Sequence, residues 1–336
     1  MPTWISVFYA IFLIISSLWV GLLLWIQQPW PMLVNLCIII LWCAFAVLCF
    51  YYRHSQKSNL KWLHASYQIA LVCVIGLYFL MTPQNDREWE PSVERLANYR
   101  FVDGQVEIEN VRNFIWQDQK HYTTQWETRR YTLEKIQSVD LIISHFIDGP
   151  IAHAFISFGF ADGQYLAFSL EVRQEKEEGF SVLGGFFRQY ELALVVGDEH
   201  DVIYARSNIR DEDVYIYPIK MQHTQMQMLF LEYLNQANRL NHQPRWYNTL
   251  VSNCTTILFD LKDYATGSVP RDYRVLLPGL LPDYLYAHGQ LDPRLSLETW
   301  KKRVHVNPKT AHLTQGPEQA KPAFSQLIRH YKKIAD

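Results

Sequence analysis

Cys254 lies in the segment Tyr247-Asn-Thr-Leu-Val-Ser-Asn-Cys-Thr-Thr. Ser252 and Asn253 precede an apolar stripe of helical period at Ile257, Leu258, Leu261 and Ala265. A Ser or Asn before such a stripe is a helix N-cap, and Gly267 is a natural stop. The spacing therefore predicts a helix from about Cys254 to Ala265 with the thiol in its first turn. There the unpaired N–H groups and the helix dipole favour the thiolate, the nucleophilic form. The competing reading is a small buried hydrophobe. A thiol nucleophile needs a base, and His153 is the candidate. It sits inside Ile151-Ala-His-Ala-Phe-Ile-Ser-Phe-Gly-Phe, an otherwise nearly apolar strand. A buried imidazole requires a partner, because an unpaired one costs about 1–3 kcal/mol. That partner is either backbone, as in a core histidine, or the Cys254 thiol, with His153 as general base.

The turn after His153 brings in a third residue. Ala161-Asp-Gly suits a three-residue hairpin loop with Gly163 in the left-handed position. This register sets Ala167 opposite Ser157, Ser169 opposite Phe155 and Glu171 opposite His153. Glu171 would then hold the second imidazole nitrogen, as the carboxylate of a triad does. A two-residue turn would send Glu171 to the other face. Pairing of Glu171 with Arg173 or another arginine is the alternative. Asp198-Glu-His-Asp reads as a solvated turn rather than a metal site, since four consecutive residues cannot converge on one ion. There is no HExxH and no phosphate-binding Gly-Lys-Ser or Gly-Lys-Thr, so neither metal nor cofactor is expected. Arg112, Arg173, Arg188 and Arg206 lie in or beside strand-like text and are candidates to face an anionic head group.

These residues need a scaffold. Short β-branched or aromatic runs at 106–111, 122–132, 140–146, 151–160, 165–173, 189–196 and 202–206 are separated by turn residues, which predicts an antiparallel sheet. Pro91 ends a polar linker, and a short helix is expected at 92–98. Met226, Leu229, Phe230, Tyr233, Ala237 and Leu240 form a helical stripe over 224–240. Strands followed by helices give an α+β domain.

The N-terminal part is different in kind. The first Asp, Glu, Lys or Arg in the chain is Arg53. Three apolar runs, 4–26, 32–52 and 65–81, approach the roughly 20 residues needed to cross a bilayer. Between the second and third lie Arg53, Lys57 and Lys61, which the positive-inside rule assigns to the cytoplasm. The third run then delivers the remaining chain to the outer face. In a bacterium this means a multi-pass inner-membrane protein with its C-terminal domain in the periplasm. Without the three loop charges, 28 basic residues face 33 acidic ones. No basic face for a nucleic-acid partner is expected. Cys37, Cys43, Cys49 and Cys73 fall in the apolar runs. Cys254 is thus the lone exported thiol and has no disulfide partner within the exported part. The expected organisation is a membrane anchor over 1–83, a globular domain over 84–305 and a loosely ordered tail over 306–336.

Several blocks together resemble one bacterial family. They are Ala152-His-Ala-Phe-Ile-Ser-Phe-Gly-Phe, Ser169-Leu-Glu-Val-Arg-Gln-Glu, Phe187-Arg-Gln-Tyr-Glu, Tyr247-Asn-Thr with Asn253-Cys-Thr-Thr, and Arg274-Val-Leu-Leu-Pro-Gly. The family is named for the N-terminal periplasmic domain of the lipoprotein N-acyltransferase Lnb. The order His, polar residue, Asn-Cys at a helix start is also similar to circularly permuted papain-like enzymes. The resemblance implies a permuted papain-like fold and a Cys–His enzyme that forms an acyl-enzyme. Its catalytic positions would be Cys254 and His153, with Glu171 as the orienting residue. The three spans ahead of the domain depart from Lnb-named proteins, which can carry spans after it.

The sequence thus points to a membrane-anchored thiol acyltransferase or lipid acyl hydrolase. Asn253, Asn248 and Ser157 would support the site or the oxyanion, and Arg173 would contact an anionic substrate. Membrane lipids and lipoproteins are the expected partners; the oligomeric state is left open. A peptidoglycan-directed cysteine peptidase or amidase with the same dyad, and a non-catalytic envelope scaffold, are the alternatives.

Overall fold

The computed structural model describes residues 3–52, 58–176, 178–249, 254–266, 270–313 and 321–330. The chain divides into two compact units, one of residues 1–83 with 181–189, the other of 84–180 with 190–336.

The first unit contains three helices, α1 (Thr3–Gln27), α2 (Met32–Tyr52) and α3 (Ser58–Leu80). All three are long and apolar enough to cross a membrane. Most of their large apolar side chains face outward, as expected where lipid rather than water is the solvent. Inside the bundle, Tyr67 of α3 is buried and its hydroxyl bonds Ser16 Oγ of α1 at 2.8 Å. Segment 181–189 belongs to this unit. The Arg188 guanidinium donates to the carbonyls of Tyr78, Phe79 and Met81 at 2.8, 3.3 and 3.2 Å. It caps orphan carbonyls at the end of α3, where a cation also complements the helix dipole.

The second unit is α+β. Its strands are β1 (Asn98–Val102), β2 (Gln105–Arg112), β3 (Ile115–Trp116), β4 (Tyr122–Thr123), β5 (Trp126–Tyr131), β6 (Ile136–His145), β7 (His153–Phe160), β8 (Tyr165–Arg173) and β9 (Glu191–Gly197). After the short helix α4 (Glu199–Val202) come β10 (Asp213–Ile219), α5 (His223–His242), α6 (Cys254–Thr266), α7 (Leu281–Ala287), α8 (Leu297–Val304), α9 (Asn307–Thr310) and α10 (Lys321–Ile328). The main sheet runs β1-β2-β9-β8-β7-β6-β10, with β5 also on β2. The antiparallel expectation holds except at one place: β2 and β9 pair in parallel through Arg112 and Gly197. A Cβ at Gly197 would meet Val202 at 2.8 Å and the Arg112 carbonyl at 3.0 Å.

One face of the sheet packs on α5. Phe230 of α5 meets Phe158, Phe168 and Phe160 at ring-centroid distances of 5.0, 5.4 and 5.7 Å, all edge-on. This is the geometry ring quadrupoles favour. The helix starts with a capping box between Gln222 and Gln225.

Three local expectations differ from the structure. The run 202–206 is not a strand. Asp198 caps α4, accepting from the His200 N–H at 2.9 Å, and a π-turn follows over Ala205–Ile209. A good N-cap outweighs the β-branched composition. The short helix near 92–98 is a single 3₁₀ turn at Pro91–Val93. The stretch from 306, expected to be loose, is packed where it is described. Val306, Phe324 and Ile328 are fully buried, and Arg329, just past α10, is inserted between two carboxylates. It donates to Asp140 Oδ2 at 2.7 Å and Glu199 Oε2 at 2.7 Å, and lies 3.9 Å over the Tyr165 ring.

Candidate functional site

β7 begins at His153, so the imidazole stands at the end of a central strand. The hairpin to β8 has the expected form. Gly163 has φ +84°, and the Phe160 N–H donates to the Gln164 carbonyl at 2.9 Å. The register is also the expected one, with Ser157 opposite Ala167 and Ile156 opposite Phe168. Carried onward, it brings Ser169 and Glu171 to the imidazole. His153 Nε2 is 2.7 Å from Ser169 Oγ and 3.4 Å from Glu171 Oε1. Ser169 Oγ–H donates to the same carboxylate oxygen at 2.5 Å. The entrance to β7 is fixed from outside the strand. The Gly279 N–H donates to the Pro150 carbonyl at 2.9 Å. A Cβ at Gly279 would lie 2.6 Å from the Gly149 carbonyl, so no larger residue permits this approach.

Cys254 opens α6 and is buried. Its Sγ is hydrogen-bonded with His153, receives the Ala154 backbone N–H and lies 3.8 Å from Thr255 Oγ1. The thiol and the imidazole, a hundred positions apart, therefore meet. Their electrostatics are reciprocal. Burial pushes the Cys254 thiol up, but the His153 charge, its hydrogen bond and the Ala154 N–H outweigh it, and the net direction is down. Burial and the nearby Arg206 push His153 down, yet Glu171 and the Cys254 sulfur raise it from its ordinary 6.5 to about 9. A thiolate–imidazolium pair is the form this environment favours.

The imidazolium is held by a chain of alternating charge. Burial raises the Glu171 carboxyl, while Arg206 and His153 hold it well below the usual carboxylate range. Arg206 Nη2 donates to Glu171 Oε1 at 2.8 Å and Nη1 to Glu212 Oε2 at 3.0 Å. Glu212 Oε2 in turn accepts from Ser144 Oγ. Phe155 packs against both cations, with the His153 ring stacked at 5.5 Å and the Arg206 guanidinium 5.5 Å from its ring centroid. Glu171 therefore pairs with Arg206 rather than Arg173.

The structure brings together Cys254, His153 and Glu171. It places other candidates elsewhere. Asn253 and Ser252 lie outside the described residues. Asn248 is half-buried in the loop before α6. Ser157 is four residues along β7 from His153, about 13 Å at strand spacing. Its hydroxyl donates to Glu199 Oε1 at 2.5 Å, within the Arg329 cluster. Arg173 does not face a substrate. It is buried, donating to the carbonyls of Val93 and Glu94 and to Asn85 Oδ1 at 3.1, 2.8 and 2.7 Å, over the Trp89 ring. It pins the segment 85–94 instead. Nor is the 198–201 run a solvated turn. Glu199 and Asp201 are fully buried, and Asp201 accepts from Arg112, the Phe114 N–H and Trp116 Nε1. Among the described residues no cluster of three or more His, Cys, Asp or Glu is arranged to hold a metal.

The sequence reading missed the bridging role of Ser169, although the register had placed it beside Phe155. It also missed Tyr247 and Tyr233. Burial raises both hydroxyls, and so does the Cys254 charge; both hydroxyls therefore lie within electrostatic reach of the thiol. The pattern offered one signal for Tyr233, its place on the inward stripe of α5.

Residues 122–279 match the family described as the Lnb N-terminal periplasmic domain. The match includes His153, Ser169, Glu171, Arg206 and Cys254. No curated protein and no solved structure matches the chain.

Proposed function

We propose, with residues 122–279 as a domain of the Lnb N-terminal periplasmic family, that this membrane protein is a thiol acyltransferase or lipid acyl hydrolase. Its domain faces the periplasm, a side supported by the positive loop between α2 and α3. The observation that carries the reading is the buried contact of Cys254 with His153 at the start of α6, with the thiol lowered and the imidazole raised.

The chemistry follows from that pair. The thiolate attacks an ester carbonyl carbon, an S–C bond forms and the carbonyl oxygen takes the negative charge. Helix-start N–H groups, which have no intrahelical acceptor, are donors for that oxyanion. Collapse breaks the C–O bond, and His153 delivers its proton to the departing alcohol. A second nucleophile, an amine or water, then gives its proton to His153 and attacks the thioester, releasing the thiolate. Ser169 and Glu171 keep the imidazole ring oriented and stabilise its charge throughout.

The test uses the full chain in detergent with an activated acyl ester. Mass spectrometry of the Cys254 peptide should show the acyl adduct. Cys254→Ala should lose it together with ester turnover. Undiminished turnover in Cys254→Ala overturns the reading.

A further inference from the structure

Glu191 ends the block Phe187-Arg-Gln-Tyr-Glu, opens β9 and lies outside the residues assigned to the site. It is nonetheless buried, at 1% exposure. Three segments meet on it. Its Oε1 accepts the Gln84 N–H at 3.0 Å, shortly after α3 ends at Leu80. Arg87 Nη2 lies 3.4 Å from the same oxygen, while Arg87 Nη1 is spent on Glu175, beyond β8, at 2.6 Å. The backbone of Glu191 bridges antiparallel to Trp246, in the loop before α6. Two hydrogen bonds flank that bridge, from the Leu192 N–H to the Arg245 carbonyl at 2.8 Å and from the Tyr247 N–H to the Tyr190 carbonyl at 2.9 Å. The Arg87 guanidinium also lies 5.9 Å over the Trp246 ring. Among the described residues, Glu191 Oε2 is buried with no hydrogen-bond partner.

We propose that Glu191 is the positioning residue that ties the loop leading into Cys254 to the segment following α3, and that its protonation state sets how firmly the two are held. The inference rests on the Cys254 reading above only for its consequence at the thiol. That loop carries Tyr247, whose hydroxyl lies within electrostatic reach of Cys254. A neutral carboxyl suits the place, because an ionised one leaves a charged oxygen buried without a donor. The charged neighbours do not offset that cost. Arg87 is shared with Glu175 and drawn on by Glu178 as well. Arg173, opposite Glu191 in the β8–β9 register, turns its donors to Val93, Glu94 and Asn85. Arg245 reaches β9 through its carbonyl. Burial, with Glu175 beside it, pushes the Glu191 carboxyl up from 4.5 to about 7, against the Gln84 N–H and Arg87. The closed arrangement is therefore favoured most below 4.5. That preference is lost as pH rises towards 7 and is level above it, because the opened form ionises first.

The experiment is hydrogen exchange by mass spectrometry on the full chain in detergent between pH 5 and 8, with rates corrected for their intrinsic pH dependence. Protection of peptides covering 190–192 and 245–247 should fall by roughly tenfold or more across that range in the wild type. Glu191→Gln, which keeps an acceptor for the Gln84 N–H and carries no charge, should show no such fall. Glu175→Gln, at a half-exposed position, leaves Arg87 to Glu191 alone and should move the midpoint to lower pH. The iodoacetamide rate on the Cys254 peptide reads the consequence. The ratio of wild type to Glu191→Gln should be near one at pH 5 and rise severalfold by pH 8, as the loosened loop admits the reagent. Protection that does not change with pH in the wild type, or falls equally in Glu191→Gln, overturns the proposal, as does an unmoved midpoint in Glu175→Gln. Protection that titrates while the alkylation ratio stays at one overturns the positioning of Cys254. Ester turnover enters neither readout, so failure of the acyl-enzyme reading and failure of this one are told apart.

Discussion

Replacing Glu171 by Gln preserves side-chain length and an acceptor for Ser169 Oγ but removes the charge 3.4 Å from His153 Nε2. At an effective dielectric near 20, opposite unit charges at that separation attract by about 5 kcal/mol. Glu171 also neutralises Arg206 at 2.8 Å, so only part of that attraction serves the imidazolium. About 2 kcal/mol is a reasonable share, or roughly thirtyfold in proton affinity. Arg206 would remain paired with Glu212, so the substitution leaves no bare buried cation. Turnover of an alkyl ester needs both the thiolate, which attacks, and the imidazolium, which protonates the departing alcohol. Its window closes on the acid side as Cys254 protonates and on the alkaline side as His153 loses its proton near 9. In Glu171→Gln the alkaline limb should move inward by about 1.5 pH units, and the acid limb should rise as the thiol loses its counter-ion.

The assay is alkyl-ester turnover between pH 4 and 10, which reads both limbs, beside the iodoacetamide rate on the Cys254 peptide, which reads the acid limb alone and excludes the four cysteines of the helices. Stability follows the same groups. The folded pKa of His153 is raised, so its pairing contributes fully below 6.5 and is lost as pH rises through about 9. The folded pKa of Glu171 is depressed, so its contribution is present above the ordinary 4.5 and lost as pH falls. A Glu171→Gln profile superimposable on wild type, in a variant with an unchanged melting curve, would refute the claim that Glu171 holds the imidazolium.

Two further substitutions test the scaffold. Arg329→Met strands Asp140 and Glu199 without their shared cation in a fully buried setting; a loss of about 3–5 kcal/mol in urea unfolding is expected, and a loss under about 1 kcal/mol would show that the end of α10 is not part of the fold's support. Gly279→Ala sets a methyl against the Gly149 carbonyl; it should cost about 1–3 kcal/mol and slow Cys254 alkylation by displacing the start of β7, whereas an unchanged alkylation rate would separate this contact from the site.

The parts of the site legible in the sequence were those fixed by local rules. The left-handed Gly163 sets the hairpin, the hairpin sets the register, and the register carries Glu171 to His153. The stripe behind Cys254 sets the helix. What local rules do not contain is which buried charge meets which. Glu199 reads as one acid in a charged run; it is buried because Arg329, 130 positions later, comes to it. Arg173 and Arg206 are alike in the text, both flanked by strand-like residues. One closes on three backbone and amide oxygens of the linker, the other on Glu171 and Glu212. Their difference arises from the turn after Asp198. That turn makes α4 and a π-turn out of a run that reads as a strand, and it swings Arg206 over Phe155.

That same swing explains why the site needs more than a thiol and an imidazole. With its burial and Arg206 alone, His153 would be driven neutral; both push it down. Only with Glu171 interposed does the arginine become a support, because it holds the carboxylate ionised and in place. The order thiolate, imidazolium, carboxylate, guanidinium, carboxylate alternates sign at every step from Cys254 to Glu212. Removing an interior member leaves like charges facing each other across the gap. The nucleophile's charge state is therefore set by the whole buried row rather than by its nearest neighbour.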